Sequence, residues 1–300
     1  MMLSLLVVAL EARAQSGSEL ANIGSFGTMG QLNASVTSFS NTACGPTAVT
    51  DGLIFLNNMA GNQFQTYNIS SSTANGYKAV NDLETPMGTS ASGTSYGTKA
   101  NNLVGGLANY ISGGGANPAA NVSIVGGQYI LGSGAGIPGG PTGPNNNFAQ
   151  VIPTATTLAN WLNANYAINL LVQFGSYSGA TWTQDPSGAQ HYVDLTSINV
   201  GNNAITLLDP WGTSAVQESA TLSTVGGYLY LNSLTAITPD NGSAGPDTGD
   251  SGEAGALTSA RIMADLAETV VPEPSTLGLM GLGGILCILF RRRRTAYRAY

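Results

Sequence analysis

The pattern of apolar positions has helical spacing in the first part of the chain. Between residues 47 and 59, apolar side chains recur near the period of an α-helix, and Pro46 suits the first turn of such a helix. This pattern places Cys44 at the N-terminus of the predicted helix. Two further helices are predicted over residues 100–111 and residues 156–166.

The later part of the chain has the pattern of β-strands. Residues 167–177 form an apolar run that is typical of a buried strand. Residues 191–200 and 203–209 predict two more strands, with a turn at Gly201 between them. Because helices come first and antiparallel strands follow, the predicted fold class is α+β, with a helical N-terminal half packed on a C-terminal antiparallel sheet.

The register of the last two predicted strands decides which side chains share a face. A three-residue turn at residues 201–203 is favoured, because it keeps the apolar side chains of both strands on one face. In that register Leu195 lies opposite Asp209, and His191 points to the same side as Asp209. His191 is then four residues from direct pairing, so its contact with Asp209 requires a strand twist or a bulge.

The N-terminal residues predict a signal peptide over residues 1–14. Residues 1–10 are apolar, and a small-x-small pattern at residues 12–14 predicts a signal-peptidase site before Gln15. No basic residue precedes the apolar run, so either the signal is atypical or the true start lies upstream of Met1, and we favour the second interpretation. A buried N-terminal helix is the alternative.

The C-terminal part of the chain predicts a spacer and a membrane segment. Residues 238–255 are rich in Gly, Pro, Ser and Asp without apolar periodicity, so we expect the folded domain over residues 15–237 and a flexible acidic spacer over residues 238–270. Residues 277–290 carry no charge and are followed by four arginines. They predict a short transmembrane helix, with the arginines in the cytoplasm and the domain outside.

Pro272, Glu273 and Pro274 directly precede this membrane segment. Together with the apolar helix and the arginine cluster, they make residues 271–300 resemble the PEP-CTERM sorting signal of Gram-negative bacteria. The resemblance implies an exported protein that is anchored in the membrane through its C-terminus until an exosortase cuts near the tripeptide. The domain would then lie at the cell surface or outside the cell, often alongside exopolysaccharide. A plain single-pass anchor is the alternative.

Charge and composition argue against two classes of ligand. Between residues 15 and 271 only Lys78, Lys99 and Arg261 are basic, against fourteen acidic residues. Phosphate binding needs clustered cations, so nucleic acid is an unfavourable partner. One histidine and one thiol outside the membrane segment cannot furnish four metal ligands, and no acidic run has calcium-loop spacing, so no metal or other cofactor is predicted.

Cys44 and His191 are the residues best suited to chemistry. Cys287 lies in the predicted membrane segment, which leaves Cys44 as the thiol of the domain, and His191 is the chain's one histidine. A helix N-terminus and a neighbouring imidazolium both favour the nucleophilic thiolate. Asp209 would accept the second ring N–H of His191 and fix its tautomer. Asn203 is a weaker substitute for that third role.

Each of these residues also has a structural interpretation. Cys44 has the size of a small buried apolar side chain, which is the usual fate of a free cysteine. His191 fits a core histidine with satisfied hydrogen bonds. Asp209 fits a turn residue before Pro210. The sequence leaves these alternatives open.

Three short motifs resemble the papain-like cysteine peptidases, specifically the bacteriocin-processing type that cuts after a double-glycine leader, together with its secreted relatives. They are CGPTA at residues 44–48, QHYV at residues 190–193 and LDPWG at residues 208–212. Their order and spacing carry the resemblance over residues 38–212. The resemblance implies a papain-like fold and catalysis through an acyl-enzyme.

By matching positions, the family's roles fall on Cys44 as the nucleophile, His191 as the proton carrier and Asp209 as the residue that orients His191. The family's upstream Gln, an oxyanion donor, is absent: Ser38 stands six positions before the cysteine, and Asn41 offers an amide at another offset. We therefore expect an exported, surface-associated peptidase acting on peptides or proteins. The alternative is a catalytically inactive surface protein associated with exopolysaccharide, and acyl transfer by the same triad is a third possibility.

Overall fold

The computed structural model describes residues 18–20, 26–36, 42–59, 74–90, 97–110, 122–128, 146–149, 153–178, 181–184, 190–234 and 259–270. The predicted signal peptide, the oxyanion candidates Ser38 and Asn41, and the predicted sorting tail over residues 271–300 lie outside these residues.

Four helices lie within the described residues, namely α1 (Cys44–Met59), α2 (Ala74–Glu84), α3 (Ala100–Asn109) and α4 (Ala155–Asn163). Helices α1, α3 and α4 correspond to the three predicted helices. The helix α4 begins where the Thr154 hydroxyl caps it by accepting a 3.0 Å hydrogen bond from the Thr157 amide. Helix α2 was not predicted, because it buries only a few apolar side chains, among them Val80 and Leu83.

The described strands are β1 (Ser18–Leu20), β2 (Val122–Gln128), β3 (Asn146–Ala149), β4 (Ala167–Ser178), β5 (Thr181–Gln184), β6 (Gln190–Asn199), β7 (Ala204–Asp209), β8 (Val216–Val225), β9 (Tyr228–Asn232) and β10 (Ser259–Val270). They lie in the order β3-β2-β10-β9-β8-β7-β6-β4-β5, with β1 beside β6, and β10 also pairs with β4. All described pairings are antiparallel except the parallel pair β2 and β3.

The strands β4, β6, β7, β8, β9 and β10 close into a ring, because β10 pairs with β9 on one side and with β4 on the other. Alternate residues of these strands share the face that the ring encloses, since side chains alternate along a strand. The enclosed face is apolar and buried, and includes Leu170, Val172, Val193, Leu195, Ile205, Leu207, Ala220, Leu222, Leu231, Ala260 and Ile262. This interior is the core that positions the ends of β6 and β7.

Helix α1 packs against the outer face of the ring at β4 and β6. Gly52 permits the close approach, because a Cβ at this position would lie 3.2 Å from the Ala167 Cβ and 3.8 Å from Asp194 Oδ1. The contact surface is partly polar: Asp194 accepts a hydrogen bond from the Asn169 amide, and the Met29 amide donates to Asp51 Oδ1 at 2.9 Å.

Three buried carboxyl groups, those of Asp51, Asp194 and Glu268, lie at this contact surface. Burial raises the pKa of Asp51 and of Asp194 well above its ordinary value, and the charge of Glu268 adds to the effect at Asp194. Burial alone raises the pKa of Glu268 from 4.5 to about 8, and its oxygens have no hydrogen-bond partner among the described residues. The fold therefore favours the neutral forms of these acids.

The predicted spacer is wrong over residues 259–270, which form the strand β10 in the middle of the sheet. The apolar alternation of this strand is interrupted by Arg261, Asp265 and Glu268, all of which are buried. The spacer was inferred from the composition of residues 238–255, which precede this strand. The folded domain therefore extends past residue 237 and includes β10.

The predicted register of the hairpin β6–β7 is also wrong. Asn199 pairs with Ala204, so four residues, not three, lie in the turn. A β-bulge between Leu195 and Ser197 absorbs one more residue of β6 and brings Leu195 opposite Leu207.

No helix in the part of the chain that the structure describes is both long enough and apolar enough to cross a membrane. The predicted membrane segment, residues 277–290, lies outside that part.

We predict that the free energy of unfolding decreases as the pH rises from about 4.5 toward 8. The folded-state pKa of Glu268 lies above its unfolded value, so its stabilising contribution is present below the unfolded pKa and is lost as the pH rises through the folded pKa. One such group contributes a slope of about 1.4 kcal/mol per pH unit between the two values. Urea unfolding followed by tryptophan fluorescence at several pH values measures this slope.

The substitution Glu268→Gln should reduce that slope by the contribution of one group, because the buried acids Asp51 and Asp194 still contribute, whereas Asp82→Asn, which removes a partly exposed carboxylate paired with Lys78, should leave it unchanged. An unaltered slope in Glu268→Gln would contradict the assignment of a buried neutral acid.

Candidate active site

Cys44 is the first residue of α1, and it is 7% exposed. The start of the helix is fixed by Thr47, whose amide and hydroxyl both donate to the Ala43 carbonyl, at 2.9 Å and 2.7 Å. Gly45 allows the close contact with the neighbouring loop, since a Cβ there would lie 2.9 Å from the Thr98 Cβ and 3.0 Å from Leu103. The position of the thiol is thus set by tight packing around the first turn of the helix.

His191 and Asp209 form a buried hydrogen bond, with 2.6 Å between His191 Nε2 and Asp209 Oδ1. Continuing the observed register by one residue places Asp209 opposite Val193, so His191 is its diagonal neighbour two positions along β6. Diagonal neighbours on one sheet face lie about 7–8 Å apart between Cα atoms, within reach of long side chains. The longer turn and the bulge each remove one residue of the predicted offset, which makes this bond possible.

The Cys44 side chain lies close enough to the His191 ring to act on its pKa. Because Asp209 occupies Nε2, the nitrogen left for the thiol is Nδ1. The structure therefore brings Cys44, His191 and Asp209 together, with a hydrogen bond between His191 and Asp209 and with the thiol near the imidazole.

The environment of His191 favours its charged form. Burial alone would lower the pKa of His191, but the negative charge of Asp209, the hydrogen bond with Asp209 and the interactions with Cys44 together raise the pKa well above 6.5. A cationic ring beside the sulfur is the arrangement that stabilises a thiolate.

The loop that follows β7 fixes the orientation of Asp209. The Trp211 amide donates to Asp209 Oδ1 at 2.7 Å, and the Trp211 ring meets the His191 ring edge-on with 6.0 Å between centroids. The amide of Gln31 donates to the Pro210 carbonyl at 2.8 Å. Gly30 is required for this contact, because a Cβ there would lie 2.2 Å from the Ser214 amide nitrogen.

Two further polar residues near the site were missed by the sequence analysis. Gln31 is 1% exposed, and neither atom of its side-chain amide has a hydrogen-bond partner among the described residues. It is the first glutamine upstream of Cys44, but it stands further from the cysteine than the six positions at which the prediction placed this residue. Glu218 lies on β8 opposite Leu207 and is 5% exposed. In the sequence, Glu218 alternates with the apolar residue Ala220, and this alternation could have indicated that Glu218 is buried.

Asn203, the weaker substitute for the third role, lies in the exposed turn between β6 and β7, at the opposite end of the hairpin from His191 and Asp209. It does not join the site. Within the described ranges, no three His, Cys, Asp or Glu side chains are grouped so that they could hold a metal ion.

Comparison with known families bears on the C-terminal tail. Residues 270–294 match the PEP-CTERM protein-sorting motif, and the match includes Pro272, Glu273 and Pro274. The predicted sorting signal is thereby confirmed, and the chain carries the mark of an exported protein that an exosortase processes. No curated protein matches the chain.

We predict that Asp209→Asn lowers the pKa of His191, because it removes the negative charge and the charged hydrogen-bond acceptor that hold the ring proton. The ring signals of the chain's one histidine can be followed by NMR over a pH titration without assignment. The control Asp82→Asn removes a distant carboxylate and should leave the titration unchanged. Overlapping curves for Asp209→Asn and the wild type would show that the bond is absent in solution.

Proposed function

We propose that the domain is an exported cysteine peptidase that cleaves peptide bonds through an acyl-enzyme on Cys44. The observation that supports this function best is the buried His191–Asp209 hydrogen bond next to the Cys44 thiol, which lies at the N-terminus of α1. A nucleophile, a base and a residue that orients the base are the groups that such chemistry requires. The ring of strands that carries His191 and Asp209, packed beside the helix that carries Cys44, is in keeping with a papain-like arrangement.

The first half of the proposed reaction forms a thioester. The Cys44 thiolate attacks the carbonyl carbon of the scissile peptide bond, and a tetrahedral intermediate forms. The C–N bond then breaks while His191 gives its Nδ1 proton to the leaving amine. The new amino terminus departs, and the acyl group stays on the sulfur.

The second half consumes water. Neutral His191 takes a proton from a water molecule, the hydroxide attacks the thioester carbon, and the C–S bond breaks. The acid product leaves and the thiolate–imidazolium pair is restored. Asp209 keeps its hydrogen bond to Nε2 throughout, which holds Nδ1 toward the sulfur and stabilises the imidazolium.

The oxyanion of the intermediate needs hydrogen-bond donors. The backbone N–H of Cys44 points from a helix N-terminus, where the dipole also favours negative charge. Ser38 and Asn41 stay candidates for a second donor, and the buried amide of Gln31 adds another. The loss of one such donor typically costs about 3–4 kcal/mol of barrier.

We place this activity outside the cytoplasm. An exosortase would cut near Pro272, Glu273 and Pro274, after the short apolar segment has held the chain in the membrane with its arginines on the cytoplasmic side. The released or anchored domain would then act on peptides or proteins at the cell surface, in the neighbourhood of exopolysaccharide.

We predict that the purified chain cleaves members of a mixed peptide library, and that Cys44→Ala reduces cleavage by about a thousandfold or more, because the covalent step is lost. Mass spectrometry of new peptide ends measures the cleavage, and acid quenching traps an acyl adduct on Cys44. Cys287→Ser is the matched control and should retain full activity.

Equal cleavage by Cys44→Ala and the wild type would rule out the proposed mechanism. If neither cleaves and both bind purified exopolysaccharide equally well, the non-catalytic alternative replaces it.

A further inference from the structure

Glu218 is an acidic side chain on the enclosed face of the ring. Along β8 the residues Glu218, Ala220 and Leu222 are buried, whereas their chain neighbours Gln217, Ser219 and Thr221 are exposed. Alternation therefore directs Glu218 toward the apolar interior. Burying a carboxyl group among apolar side chains costs free energy unless the carboxyl group interacts with a neighbouring polar group.

The neighbouring group is Asp209. On β7 and β8 Leu207 lies opposite Glu218, and Asp209 lies opposite Val216, so Glu218 is a diagonal neighbour of Asp209. His191 is the diagonal neighbour of Asp209 on the other side, from β6. Three titratable side chains thus cross three adjacent strands on one face, with Asp209 in the middle.

The charged groups that act on Glu218 are those of this series. Burial, which is the largest cause, and the charge of Asp209 together raise the pKa of Glu218 to about 8, while the charge of His191 opposes the shift. Strand β9 pairs with β8 only from Thr221 onward, so no charged group of β9 is paired opposite Glu218. Near neutral pH the carboxyl of Glu218 is therefore mainly protonated.

We propose that Glu218 is a positioning residue that sets how firmly the His191–Asp209 pair holds its proton. While Glu218 is neutral, it adds no charge beside the His191–Asp209 pair. When Glu218 ionises, a second negative charge beside Asp209 holds the proton on the ring to more alkaline pH. The electrostatic part of this inference stands by itself, and only its consequence for catalysis rests on the proposed function.

The test follows the NMR titration of His191 in the full chain. We expect the wild-type curve to deviate from a single proton step, because Glu218 ionises within the same pH range. In Glu218→Gln the second step should be lost and the midpoint should move to lower pH. The control Gln217→Glu adds a carboxylate at the adjacent, outward-facing position and should change neither the second titration step nor the midpoint of the His191 curve.

A second variant separates an electrostatic role from a structural one. Glu218→Asp keeps the acid and should restore the second step. A single-step wild-type curve would overturn the proposal even if Glu218→Gln failed to fold. So would a Glu218→Gln curve that coincides with that of the wild type, or a shift of equal size in Gln217→Glu.

The catalytic consequence has its own readout. In peptide cleavage, Glu218→Gln should move the alkaline limit of kcat to lower pH while KM stays constant, because the substrate does not contact Glu218. Absence of cleavage in every variant, with the NMR effect intact, would count against the proposed function and leave the role of Glu218 standing. If the NMR titration curve is the same with and without Glu218 while the chain cleaves peptides fully, the role of Glu218 is contradicted and the proposed function stands.

Discussion

The hydrogen bond between His191 Nε2 and Asp209 Oδ1 is the interaction on which the site depends. It forms at one end of a closed ring of strands whose apolar interior excludes water, so each polar group must find its partner within the protein. The bond fixes which ring nitrogen faces Cys44 and keeps the imidazole charged despite its burial. A different hairpin register would leave both side chains buried without one another.

The predictions from the sequence rested on the periodicity of apolar residues and on the scarcity of thiols and imidazoles. Helices α1, α3 and α4 and strands β4, β6 and β7 follow from apolar spacing. Cys44 and His191 were proposed because the domain has so few thiols and imidazoles, and Asp209 because the predicted hairpin turns it to the same side as His191. Strand β10 was not predicted, because it carries charged residues whose burial cannot be inferred from local composition. The bulge near Thr196 arises from pairing on both edges of β6, a constraint that exists only in the folded sheet.

The domain has few charged residues and buries several of them, so electrostatic interactions have a strong effect on its stability and on its site. Arg261 is buried, donates to Gln173 Oε1 at 2.8 Å, and lies 5.9 Å and 5.6 Å from the rings of Trp182 and Tyr228. Aromatic faces partly compensate such a cation. Acids lie on both faces of the ring: Glu268 is beneath α1, and Glu218 is beside Asp209. Protonation therefore links the stability of the fold to the charge state of the site.

The pairing of the thiol with the imidazole is tested most directly by the rate at which iodoacetamide alkylates Cys44 near pH 6, in the Cys287→Ser background. A free cysteine is less than about 1% thiolate at that pH. If His191 stabilises the thiolate, the folded chain should react faster than a cysteine peptide, and His191→Gln should slow it by about tenfold. Equal rates in the folded chain, in His191→Gln and in the peptide would contradict the pairing.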